Sequence, residues 1–220
     1  MNQLMSRVLT IAVASVTSFA AQAQEVKGDF KAGEKKIAMC IGCHGIPGYQ
    51  ASFPEVYRVP MISGQNEKYI ASALAAYRKG ERKHPSMRGI ADSLTDQDIA
   101  DVAAYYAQHG AGQKGAGKGG KEPSAKVAEL LKKGACASCH GDNFSKPIDP
   151  SYPKLGGQFA DYLFVALKSY KVEGQHTWGR SNGVMGGVAK QFSNAELKAM
   201  AQYLASLDGD LKTIPQQKFR

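Results

Sequence analysis

Cysteine is scarce in this chain: 220 residues contain four, all within Cys40-Ile41-Gly42-Cys43-His44 and Cys136-Ala137-Ser138-Cys139-His140. No cysteine remains for any role outside those two stretches. Long apolar runs are equally rare. The one such run is Val8 to Ala21, behind Arg7 and ahead of the small-x-small sequence Ala21-Gln22-Ala23. That is an export signal with its cleavage site, too short to span a bilayer comfortably, and it puts the mature N-terminus near Gln24. Nothing later is apolar enough to cross a membrane, so a soluble periplasmic protein is expected. Acidic residues are also in short supply. Losing Arg7 with residues 1–23 leaves 27 basic and 19 acidic residues, a balance of +8.

Within each cysteine stretch the spacing is Cys-x-x-Cys-His, the attachment sequence of a c-type haem. On a helical turn the two thiols lie on one side, placed to add to two haem vinyl groups as thioethers. The adjoining histidine then reaches the iron. A dithiol redox pair, or a zinc site made from two such pairs, would also use Cys-x-x-Cys. Neither needs the histidine that follows both copies. Two haems would bring four propionates and make the holoprotein less basic. The remaining positive charge suits an acidic redox partner or peripheral contact with an anionic membrane, or is simply a solvated surface. Nucleic acid is not an expected partner for an exported haem protein.

The repetition extends beyond the cysteines. Pro60-Met61-Ile62-Ser63-Gly64-Gln65 aligns with Pro153-Lys154-Leu155-Gly156-Gly157-Gln158, and Tyr69, Leu74 and Tyr77 with Tyr162, Leu167 and Tyr170. The chain is therefore expected to divide into a signal at 1–23, one domain at 24–109, a linker at 110–124 and a second domain at 125–220. Residues 110 to 120 lack side chains able to build a core and read as a flexible basic linker. Each domain should be a small bundle of short helices, modest in core and centred on a haem. Phe30 to Cys43 reads as one helix entering the first motif, with Ala125 to Cys136 as its counterpart. Asn66 to Lys79 and Phe159 to Lys171 show helical spacing. The last helix of each half opens on a capping signature, Thr95 to Asp98 and Ser193 to Glu196. Ile99, Val102, Ala103 and Tyr106, and Leu197, Met200, Ala201 and Leu204, form their core stripes.

A second axial ligand would close the iron's coordination and favour electron transfer. Met87 and Met185 align between the halves and lie on what read as loops before the terminal helices. A thioether there favours ferrous iron and raises the reduction potential. Bis-histidine ligation through His84 and His176 is the alternative, although those positions do not correspond. Met39 and Met61 lack counterparts, and Met200 belongs to a core stripe. His109, at a helix end beside glycine, reads as a solvated terminus. The carbonyls of Pro60 and Pro153 are candidates to fix the other nitrogen of His44 and His140; loop punctuation is the alternative. Trp178 and the paired tyrosines are candidates for haem contact, the domain interface or ordinary packing.

Taken together, the two Cys-x-x-Cys-His motifs, two Pro-x-x-x-Gly-Gln segments, two late methionines and two terminal helices resemble the dihaem cytochrome c4 family. The resemblance implies an all-α fold of two tandem class I cytochrome c domains related by an approximate twofold axis, with the haem propionate edges close across the interface. It implies two covalently bound haem c groups, held by Cys40, Cys43, Cys136 and Cys139 and ligated by His44 and Met87 and by His140 and Met185. It also implies a carrier and not an enzyme, taking electrons from a donor such as the cytochrome bc complex to a terminal haem-copper oxidase. The alternative is the cytochrome subunit of a periplasmic dehydrogenase such as flavocytochrome c sulfide dehydrogenase. A dihaem peroxidase or thiosulfate dehydrogenase would need a differently ligated iron, against which the paired methionines and the lack of a spare cysteine argue. The glycine-rich linker leaves room for looser domain packing than the family's.

Overall fold

A computed structural model describes residues 26–113, 120 and 122–216. The proposed signal and cleavage site, and most of the glycine-rich linker, lie outside the described residues. The first half comprises α1 (Phe30–Glu34), α2 (Ala38–His44), β1 (Gln50–Ala51), β2 (Tyr57–Arg58), α3 (Glu67–Lys79), β3 (Arg82–Lys83), α4 (Pro85–Asp92) and α5 (Asp96–Gln108). The second comprises α6 (Ala125–Lys133), α7 (Ala137–His140), α8 (Ala160–Ser169), β4 (Gly179–Arg180), α9 (Gly183–Ala189) and α10 (Asn194–Ser206). Helices dominate, and each strand among the described residues is two residues long.

Both terminal helices begin where the sequence places them, and for the expected reason. Thr95 Oγ1 accepts from the Asp98 amide while the Asp98 carboxylate accepts from the Thr95 amide; Ser193 and Glu196 do the same at α10. These boxes satisfy amide groups that a helix start leaves without partners. The predicted stripes are buried: Ile99, Val102, Ala103 and Tyr106 in the first core, Leu197, Met200, Ala201 and Leu204 in the second.

Three expectations need correction. Phe30 to Cys43 is not one helix, because α1 ends at Glu34 and α2 starts at Ala38. The intervening turn sends Ile37 into the core and Lys36 onto Asp101 of α5, at 2.6 Å. The counterpart breaks likewise at Gly134 and Ala135, the latter at φ +48°. Met87 and Met185 do not lie on loops but in the first turns of α4 and α9. His109 is not a solvated terminus: its ring stacks on Tyr105 at 4.7 Å between centroids, its Nδ1 pairs with Ser63 Oγ at 2.9 Å, and burial lowers its pKa.

The contact of α1 with α5 leaves no room for a side chain at Gly33. A Cβ there would lie 2.1 Å from the Asp101 carbonyl oxygen. Gly33→Ala is therefore expected to push α1 off α5 and cost about 1–3 kcal/mol, read as a lower urea midpoint at unchanged slope.

The halves pack together through several direct bonds. Arg58 meets Asp161 through its amide at 3.1 Å and its Nε at 2.9 Å. Lys168 bonds Glu55 at 2.6 Å, and β3 pairs antiparallel with β4. Beyond α10 the chain returns to the first half, where the Lys212 amide donates to the Ser63 carbonyl at 3.0 Å and Gln216 Nε2 to the Tyr105 hydroxyl at 2.6 Å. The linker expectation of loose packing is not what the described residues show.

Candidate functional site

Each Cys-x-x-Cys-His stretch sits on a short helix facing its own apolar core. Cys40 and Met87 pack against one cluster, with Ile41, Ile70 and Tyr106. In the second half Cys136 packs against a cluster containing Leu163 and Leu204, while Met185 is half-buried in the first turn of α9. The structure thus brings Met87 to the same core wall as Cys40. Met185, half-buried like Met87, stands at the equivalent place but outside the second half's apolar clusters.

The histidines are oriented alike. His44 Nδ1 lies 2.8 Å from the Pro60 carbonyl oxygen and His140 Nδ1 lies 3.1 Å from that of Pro153. A carbonyl only accepts, so each Nδ1 carries its proton and each Nε2 keeps its lone pair free for a metal. Burial lowers both pKa values, although the carbonyls oppose it, and so favours the neutral imidazole. The proline carbonyls are therefore hydrogen-bond partners and not mere loop punctuation.

The thiols point the same way. Burial pushes Cys40 up to about 11 and raises Cys136 as well. A reactive dithiol redox site needs the opposite shift. Among the described residues, no three His, Cys, Asp or Glu side chains converge to hold a metal ion. The tetrahedral zinc reading has no geometry behind it.

The helix starts carrying the methionines differ in chemistry. Asn182 Oδ1 accepts from the Met185 amide at 2.9 Å, whereas His84 Nδ1 accepts from the Met87 amide at 3.4 Å. His84 is thus a helix cap, and its buried Nε2 has no hydrogen-bond partner. His176 is exposed. The bis-histidine alternative is not built symmetrically.

Between the halves, β3 and β4 set Arg82 opposite Arg180. The Arg82 guanidinium lies 4.8 Å from the Tyr77 ring centre and donates to the Tyr69 hydroxyl at 3.1 Å. Arg180 lies 5.4 Å from the Tyr170 ring centre and donates to the Tyr162 hydroxyl at 3.1 Å. No carboxylate bonds either guanidinium among the described residues, and Arg82 Nε is buried without a partner. Burial alone would raise Tyr162, yet Arg180 and Arg82 pull its phenol down to about 8. Tyr69, governed by burial, rises to about 12. Two adjacent half-buried cations without a carboxylate partner favour anions beside them, and haem propionates have the charge and hydrogen-bonding capacity to supply them. Trp178 lines a cavity between the halves together with both arginines, Tyr77 and Tyr162, so these side chains belong to the interface. The arginines escaped the sequence reading; their signal was position, each standing five residues before its aligned methionine, Arg82 before Met87 and Arg180 before Met185.

A family model described as cytochrome c matches residues 30–110 and again 124–208. A cytochrome c4 from Stutzerimonas stutzeri is 32% identical over 222 residues, covering 93% of this chain and 98% of its own. The chain belongs to the cytochrome c4 family. The crystal structure of reduced recombinant cytochrome c4 from Pseudomonas stutzeri is 32% identical, with a TM-score of 0.62 over 82% of this chain and 99% of that one. A thiosulfate dehydrogenase electron acceptor from Thiomonas intermedia (strain K12) is 30% identical, covering 92% of this chain and 91% of its own. As a member of that family the chain is a dihaem electron-transfer protein of two tandem cytochrome c domains, each with a covalently bound haem c. Among the described residues no helix is long and apolar enough to cross a membrane.

Proposed function

We propose that the protein carries single electrons in the periplasm, with His44 and Met87 as axial ligands of one haem and His140 and Met185 of the other. The observation that supports this most is the matched pair of histidine-to-proline bonds, which leaves a metal-ready Nε2 beside both cysteine pairs. Cys40 and Cys43, and Cys136 and Cys139, would form the thioethers. The haem irons, once bound, supply a ferrous/ferric couple each. The chain's own part is to fix the imidazoles; Met87 and Met185 would offer each iron a thioether, and the apolar cores would keep water away. Arg82 and Arg180 would hold the anionic haem edges. A closed, rigid coordination sphere limits rearrangement on electron transfer, as a carrier requires and a peroxidase does not.

The proposed partners are redox proteins: a donor such as the cytochrome bc complex and an acceptor such as a terminal haem-copper oxidase. Export through residues 1–23 places the carrier between them. A second reading has an observation of its own, since relatives of similar length are named electron acceptors of thiosulfate dehydrogenase. In that role the protein takes electrons from a periplasmic dehydrogenase and performs no catalysis itself.

Spectroscopy of the purified holoprotein tests the coordination. Two low-spin haems, a methionine-to-ferric-iron charge-transfer band and no reaction with peroxide are expected; a high-spin, peroxide-reactive iron would remove the carrier role. Anaerobic mixing with reduced cytochrome bc complex, and separately with thiosulfate dehydrogenase plus thiosulfate, tells the donors apart. Reduction by the true donor should slow as salt rises, because its docking uses the basic surface.

A further inference from the structure

Gln65 and Gln158 close the two Pro-x-x-x-Gly-Gln segments, and both side chains are nearly fully buried, at 5% and 4% exposure. Neither serves only its own domain. Gln158 accepts from the Met61 amide at 3.1 Å and donates to the Met61 carbonyl at 2.9 Å. Gln65 accepts from the Lys154 amide at 2.9 Å and donates to the Lys154 carbonyl at 3.1 Å. Each amide therefore grips one residue of the opposite domain at both its N–H and its C=O. Those residues directly follow Pro60 and Pro153, whose carbonyls hold His44 and His140. The Met61 amide nitrogen belongs to the same peptide unit as the Pro60 carbonyl, and the Lys154 nitrogen to that of Pro153. Planarity makes each a single rigid body.

We infer that Gln158 and Gln65 are crossed positioning residues: each domain's glutamine sets the peptide that orients the other domain's haem-ligating histidine. The inference rests on the ligand assignment above for His44 and His140. Its chemistry is direct. A hydrogen bond from Nδ1–H to a carbonyl raises the basicity of the imidazole and stabilises ferric iron. An amide donating to the glutamine leaves its own peptide more polarised, so the linked carbonyl becomes the better acceptor. Loss of the glutamine frees the peptide to rotate, lengthens the histidine bond and raises the potential of the haem across the interface. Docking and redox tuning are one structural feature here, and undocking the domains would retune both haems.

The test uses the full dihaem protein. Its wild-type spectrum first decides the ligand reading: haem absent, or irons without histidine, would remove that reading and this inference with it. Potentials of both haems, assigned by hyperfine-shifted NMR signals, are then measured in Gln158→Ala and Gln65→Ala. Gln158→Ala should shift the ferrous-to-ferric ratio of the Cys40/Cys43 haem by up to about tenfold at fixed ambient potential, equivalent to about 59 mV for one electron. The Cys136/Cys139 haem should move far less, and Gln65→Ala should show the reverse. Gln158 also accepts from the Phe159 amide at the start of α8. Purely structural damage would therefore appear in its own domain. Gln158→Glu is the second variant, because it keeps both acceptor contacts and loses the N–H given to Met61. It should not reproduce the upward crossed shift, because the Pro60–Met61 peptide keeps its acceptor, and α8 stays intact. A shift confined to the substituted domain, equal shifts in both haems, unchanged potentials in both alanine variants, or a Gln158→Glu shift equal to that of Gln158→Ala would overturn the inference.

Discussion

Met87→Ala is expected to abolish the methionine charge-transfer band of one haem and lower that haem's potential, leaving the other band in place. The drop should be on the order of 0.1 V or more, within the roughly 0.8 V that axial ligands span. The reason is electronic: a soft, neutral thioether favours ferrous iron, and water or hydroxide in its place favours ferric iron. Met185→Ala should do the same at the second haem. The two variants will differ in stability. Met87 packs on the core shared with Ile41 and Tyr106, so its truncation also opens a cavity, whereas Met185 is half-buried outside the second domain's clusters. Difference spectroscopy and potentiometric titration of both variants give the check. Unchanged bands and potentials would return the sixth position to His84 or another residue.

The parts of this molecule that its sequence discloses are those governed by neighbours along the chain. Thr95 with Asp98 and Ser193 with Glu196 act over three residues, and so do the cysteine pairs. The stripes on α5 and α10 follow from a fixed helical period. What the sequence hid depends on partners far away. The break at Lys36 exists because Asp101, 65 residues on, takes its ammonium. His109 looked solvated because Ser63, 46 residues away, cannot be placed beside it by spacing, although Tyr105 one turn back could have been. The crossed glutamines were visible as a repeated Gly-Gln, but a repeat shows that a residue has a role and not where its amide reaches. Gln158 meets Met61 over 97 residues and between domains. The internal repeat carried the two-domain plan, and only the fold could pair the arginines.

The same long reach makes Asp101→Ala the variant expected to cost the most stability outside the haem ligands. Asp101 is 2% exposed, and its carboxylate accepts from the Asp29 amide at 2.8 Å, Lys36 Nζ at 2.6 Å and Gln97 Nε2 at 2.8 Å. It ties the segment entering α1, the turn before α2 and the middle of α5. Truncation strands the Asp29 amide, while the exposed Gln97 keeps the Lys27 carbonyl at 3.0 Å and Lys36, partly solvated, keeps Asp98 at 2.7 Å. That limits the loss below the value for a stranded buried charge, to about 2–4 kcal/mol. For a protein of this size each kcal/mol lowers the melting temperature by about 2–4 °C. The loss should depend on pH. Burial alone would raise Asp101, but Lys36, the Asp29 amide and Gln97 together hold it below its ordinary value. A folded-state pKa depressed in this way contributes stability that is fully present above the unfolded value of about 3.9. It is lost as pH falls through the lower folded value. The gap between wild type and Asp101→Ala should therefore be flat at neutral pH and narrow in acid. Urea titrations of both proteins between neutral and strongly acidic pH test this, and a gap that widened in acid would mean that Asp101 is protonated in the fold.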